Sequence, residues 1–89
     1  MEEIPHRPSK DRLEAFGSAV GAVLKRARED RHWSVYRLSQ ESGVDERGIR
    51  RIEEGETSPS VDTLFRLVST LGIPLSSVFA KAEEMTMRE

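Results

Sequence analysis

Leu13, Phe16, Val20, Val23, Leu24 and Ala27 recur at steps of three and four residues, the spacing that lines one face of an α-helix. The stripe predicts a first helix from about Asp11 to about Arg31, weakened locally by Gly17 and Gly21 because glycine gives up the most backbone freedom on becoming helical. Ser34 then stands where an N-cap belongs: its oxygen can accept from an amide that opens a helix without a partner. Trp33 and Leu38 flank it at the separation of a hydrophobic staple, which predicts a short second helix running to about Ser42. Gly43 suits the left-handed residue that closes a helix. Two residues later Asp45 offers a new N-cap between a second staple pair, Val44 and Ile49, so two helices meet at a tight turn. The third helix runs to Glu54 and stops at Gly55, and Glu56 to Pro59 form a loop. Ser60 caps a fourth helix, in which Val61, Leu64, Phe65, Val68 and Leu71 predict a broad buried face ended by Gly72. A fifth begins near Pro74 and carries Leu75, Val78, Phe79 and Ala82. With no repeats and no strand-like alternation, an all-α chain of five helices is expected: residues 1–10 a flexible arm punctuated by Pro5 and Pro8, 11–82 one domain, 83–89 a fraying tail.

The phase of the third helix sorts its charges. At about 100° per residue, with Ile49 taken as the buried direction, Ile52 lies about 60° away and Glu53 about 40°. Arg47 and Arg51 fall about 160° from Ile49, Glu54 about 140° and Arg50 about 100°, while Glu46 and Glu53 swing toward the core. An α-helix fits the major groove of DNA, and an arginine fork can donate two bonds to guanine O6 and N7, a contact worth about 1–3 kcal/mol of discrimination. Arg47, near the helix start and beside the small Gly48, is the best placed. A merely solvated arginine face is the other reading that the charge pattern allows.

Composition sharpens this picture and complicates it. The 89 residues suffice for one small core, and 36% hydrophobic with 34% charged residues suits a small bundle rather than a large buried pocket. Cysteine is absent, which removes disulfides, thiolate zinc sites and cysteine nucleophiles together. No apolar run approaches the roughly 18 residues of a membrane span, and Met1 to Lys10 is too polar for a signal peptide, so a cytoplasmic chain is expected. The 14 basic and 16 acidic residues give a net charge of −2, which argues mildly against a nucleic-acid partner. Phosphates meet one face, however, and not the average.

The stretch from Trp33 to Phe79 resembles the phage-repressor and Cro type of helix-turn-helix, also called the XRE family. The resemblance is carried by the turn Ser42-Gly43-Val44, the run Ile49-Arg50-Arg51-Ile52-Glu53-Glu54-Gly55, and the segment from Pro59-Ser60 to Leu71-Gly72-Ile73-Pro74. It implies a five-helix, lambda-repressor-like DNA-binding domain whose second helix crosses the DNA backbone and whose third reads bases, usually as a dimer on an inverted repeat. Matched residue by residue, base-contacting positions fall on Glu46, Arg47 and Arg51, with Arg50 nearer the phosphates. It also implies a partly buried pair between Arg28, late in the first helix, and Glu53, late in the third. This chain departs from the family in two places. Val35 stands where a phosphate-binding glutamine is common, leaving phosphate contact to backbone amides and to Ser34, Arg37, Tyr36 and Gln40. The loop before the fourth helix, often basic, is here Glu56, Thr57 and Ser58, which leaves hydroxyl and backbone contacts from Thr57 and Ser58. Glu46 either accepts from a cytosine amino group or repels phosphate.

The function that follows is a sequence-specific, homodimeric transcriptional regulator, most simply a repressor occupying a double-stranded operator. The alternative is a protein-interaction module of the same fold, antitoxin-like or an anti-regulator, suggested by the acidic balance, Val35 and Glu56. An enzyme is not expected, since no nucleophile and base, metal cluster or phosphate-binding glycine loop is visible; neither a cofactor, a metal nor a small-molecule ligand is implied. Trp33 reads as a core staple, and His6 and His32 as surface residues. Arg7, Lys10 and Arg12 belong to a loose arm or to a minor-groove contact. Leu75, Val78 and Phe79 are more apolar than one small core needs, which makes the fifth helix the candidate dimer face.

Overall fold

The computed structural model describes residues 7–87; His6 and the rest of the first six residues, and the last two of the expected tail, lie outside them. Five helices follow in chain order: α1 (Lys10–Asp30), α2 (Val35–Ser42), α3 (Glu46–Glu53), α4 (Val61–Leu71) and α5 (Leu75–Thr86), with no strand among the described residues. Ser9, Ser34, Asp45 and Ser60 cap the first four, each side chain accepting from the amide three residues on. Every helix contributes a side chain to the fully buried set: Leu24 from α1, Leu38 from α2, Ile49 from α3, Leu67 and Leu71 from α4, and Val78 from α5. No single helix among these residues is long and apolar enough to cross a membrane, and the chain bends by 106° between α4 and α5.

Both ends of the domain reach further than the sequence suggests. Ser9 accepts from the Arg12 amide at 3.1 Å, so Lys10 opens α1 instead of closing an arm. At the other end α5 continues through Glu83–Thr86, four residues expected in the tail. Ala82 is buried, and the Thr86 hydroxyl donates to its carbonyl at 3.0 Å, while Phe79 meets Phe16 of α1 with ring centroids 6.1 Å apart. α1 and α5 thus hold each other along these turns.

That geometry also overturns three expected core positions. Leu13 is 59% exposed, at an open groove between the start of α1 and the end of α5. Val61 and Phe65 are 73% and 61% exposed: the buried arc of α4 is Leu64, Leu67, Val68 and Leu71, and its centre lies about 100° from Phe65. Leu67, absent from the predicted face, is fully buried.

The end of α1 is closed without glycine. The His32 amide donates to the Glu29 carbonyl at 2.8 Å and the Trp33 amide to the Arg28 carbonyl at 3.2 Å, the paired bonds of a Schellman motif. His32 takes the left-handed position, with φ 60°, where a Cβ is disfavoured. Trp33 packs against the core as predicted, and two guanidinium groups lie over its ring, Arg31 at 5.0 Å and Arg37 at 4.5 Å from the centroid.

Candidate nucleic-acid interface

Three residues join α2 to α3, and each has a structural task. Gly43 adopts φ 79° and ψ 8°, with its amide donating to the Ser39 carbonyl at 2.9 Å. The buried Ser42 hydroxyl oxygen accepts from the Val44 amide at 3.1 Å, and the Asp45 carboxylate accepts from the Gly48 amide at 3.2 Å. Leu38 and Ile49 close the angle from inside. The turn therefore fixes α3 relative to α2 through backbone bonds that are local in sequence.

α1 sets the orientation of α3 independently. Ile49 and Ile52 face the core, and Gly21 lets the backbones approach so closely that a Cβ there would meet the Ile52 carbonyl oxygen at 2.0 Å. Two turns along α1, Arg28 Nε donates to Glu53 Oε2 at 2.7 Å and Nη2 to Oε1 at 2.9 Å, while Nη1 donates to the Trp33 carbonyl at 2.7 Å. Their side chains are 10% and 5% exposed. The bonds to Glu53 raise the Arg28 pKa above its usual value against the opposing effect of burial, so the guanidinium stays charged and the pair is a fixed clamp. The Arg28–Glu53 pair implied by the family resemblance is present.

With one side so anchored, α3 turns Arg47, Arg50 and Arg51 to solvent, as its phase predicts. Their surroundings differ. Arg50 Nη2 lies 3.3 Å from Glu46 Oε1, and Arg51 Nε lies 3.6 Å from Glu56 Oε1; Arg47 makes no ion pair or side-chain hydrogen bond among the described residues. Glu46, expected to swing toward the core, is instead half-exposed and paired with Arg50. The Arg51–Glu56 pair was invisible to helical spacing, since residues five apart do not share a helix face. Gly55, at φ 78°, folds the chain back so that the Glu56 amide donates to the Arg51 carbonyl at 2.8 Å, and the two side chains meet.

On α2 the Ser34 hydroxyl oxygen accepts from the Arg37 amide at 2.9 Å, Tyr36 and Gln40 are exposed, and Arg37 both covers Trp33 and pairs with Glu41 at 3.1 Å. In the loop, Thr57 is half-buried and Ser58 exposed, with the Ser58 hydroxyl against Gly17 of α1. The structure thus brings the α3 arginines together on one surface with their carboxylates, and sets Ser58 beside α1.

The sequence profile of the helix-turn-helix family HTH_3 matches residues 24–78, which run from the middle of α1 into α5. The chain belongs to this family. Among its relatives, the HTH-type transcriptional regulator SutR of Escherichia coli is 31% identical over 74 residues, covering 83% of this chain and 42% of that protein. The transcriptional repressor RghR of Bacillus subtilis is 37% identical over 71 residues, 79% of this chain and 50% of that one. The chain therefore spans half or less of the length of these two relatives. An HTH_3 family transcriptional regulator from Vibrio cholerae superposes with a TM-score of 0.73 at 32% identity, over 81% of this chain and 40% of that one. The clp gene regulator ClgR from Corynebacterium glutamicum superposes with a TM-score of 0.77 over 82% of this chain and 78% of that one; at 23% identity this is a likeness of fold alone.

Proposed function

We propose that the chain is a sequence-specific DNA-binding transcriptional regulator that inserts α3 into the major groove of an inverted-repeat operator as a homodimer. Its simplest action is repression by occupancy, in the cytoplasm, with no chemistry of its own. One observation carries the reading: Arg47 stands exposed near the start of a helix whose opposite side is clamped to the core, so its fork can reach a base edge without deforming the protein. Arg51 and Glu46 are the other base-contacting residues, and Arg50, Ser34, Tyr36, Arg37, Gln40, Thr57 and Ser58 meet the backbone. Val78 is fully buried and Leu75 packs against the core, so of the expected α5 face only Phe79 stays open, and the dimer face is instead the side of α1 and α5 where Leu13, Phe16 and Met87 line one groove.

Selection of bound duplexes from a random pool tests this reading. A recovered palindrome with half-sites about one helical turn apart, whose affinity falls by about 5- to 150-fold in each of Arg47→Ala and Arg51→Ala, is the expected result. An unenriched pool, or binding indifferent to both changes, would overturn it in favour of the protein-interaction module that the acidic balance also suits.

A further inference from the structure

The outer surface around α3 carries as many carboxylates as guanidinium groups: Arg47, Arg50 and Arg51 against Glu46, Glu54 and Glu56, all exposed or half-exposed. Two of the arginines are already ion-paired within the chain, Arg50 with Glu46 one turn back and Arg51 with Glu56 across the Gly55 turn. Resting on the DNA-binding reading, we propose that Glu46 and Glu56 set the specificity of recognition by withholding Arg50 and Arg51 from phosphate. Sequence-independent affinity comes almost entirely from cations that displace counterions along the backbone. On an arbitrary duplex each of these arginines gives up a carboxylate to gain a phosphate, a like-for-like exchange, and the displaced carboxylate is left facing the negative backbone. At the operator the exchange is unequal. Arg51 meets two acceptors on a guanine edge, which offsets the loss of Glu56, and Glu46 meets a cytosine amino donor, so the carboxylate displaced from Arg50 finds a partner instead of a repulsion. The acidic residues thus lower binding everywhere except where the bases repay them.

The experiment measures fluorescence anisotropy titrations of the selected operator and of a random-sequence duplex over a salt series, with wild type, Glu46→Gln, Glu56→Gln and the double variant. Asp30→Asn is the control: Asp30 pairs with Arg26 on α1 at 3.1 Å, so its replacement makes the same change in net charge away from α3. Exposed ion pairs are worth about 0.2–1 kcal/mol, so each glutamine change is expected to tighten random-duplex binding about two- to fivefold and the double variant about tenfold. Its salt dependence should steepen by about one to two phosphates, with a smaller gain on the operator and thus a lower specificity ratio, while Asp30→Asn stays within about twofold of wild type. Unchanged random-duplex affinity, an equal gain on both duplexes, or an equal gain in Asp30→Asn would overturn this role while leaving DNA binding intact. A wild-type chain that holds neither duplex at any salt would overturn both readings together.

Discussion

Replacing Gly21 with alanine sets two effects of known size against each other. In a helix interior alanine is favoured over glycine by about 0.8–1 kcal/mol, so the sequence alone says that the change stabilises α1. The structure reverses the sign. The new Cβ would lie 2.0 Å from the Ile52 carbonyl oxygen and 3.0 Å from its carbonyl carbon, backbone atoms that no rotamer change can move aside. Since non-bonded heavy atoms settle at roughly 3.5 Å, α1 and α3 must part by more than about 1 Å. That movement stretches the 2.7 and 2.9 Å bonds from Arg28 to Glu53 and loosens Ile52 in the core. Overpacking costs about 1–3 kcal/mol and a weakened buried charge pair adds to it, so a net loss of about 2–4 kcal/mol remains after the propensity gain. In a domain of this size the melting temperature should fall by roughly 10–30 °C, measured by far-ultraviolet circular dichroism. A melting temperature equal to or above that of wild type would refute the close approach and, with it, the account of how α3 is oriented.

Arg28→Met should cost about 3–5 kcal/mol in urea denaturation by leaving the Glu53 carboxylate buried without a counter-charge, and pairing it with Glu53→Leu should recover most of that; a single variant as stable as the double one contradicts the clamp. His32→Gly should raise stability by about 0.5–1 kcal/mol in calorimetry, the relief of a left-handed Cβ exceeding the added freedom of the unfolded chain. No gain would mean that His32 does not hold its positive φ. Leu13→Asp should weaken the homodimer by about 2 kcal/mol, roughly thirtyfold in Kd by analytical ultracentrifugation, with little change in monomer melting because the side chain is already exposed. A dimer indifferent to it would place the interface elsewhere.

What the sequence made legible was whatever depends on neighbours close in the chain. Ser34, Asp45 and Ser60 announce helix starts and Gly43 and Gly72 announce ends because capping is local chemistry, and the phase that buries Ile49 points the arginines outward by arithmetic. The parts that stayed hidden depend on contacts between segments distant in the chain. Gly21 looks like a flaw in α1 until Ile52 is seen against it. Phe65 and Leu67 are both apolar, and only the position of α2 and α1 decides which of them is covered. His32 closes α1 where a glycine would be looked for, and Glu56 reaches Arg51 only through a left-handed turn. The expected arm and tail shrank because α1 and α5 support each other where neither pattern alone is strongly apolar.

The length of α1 acquires a meaning from its two attachments. Its 21 residues form a rod of about 31 Å, gripped near Gly21 and Arg28 by α3 and exposed at Leu13, where the proposed homodimer would join. In a homodimer joined at that open end, the rod works as a ruler: the distance and angle between the two α3 helices are dictated by α1 and not by a flexible linker. On the proposed inverted repeat, one base pair added between half-sites would displace them by about 3.4 Å and roughly 35°, a misfit that a stiff gauge has no joint to absorb, so the spacing of such an operator would be held as strictly as its letters.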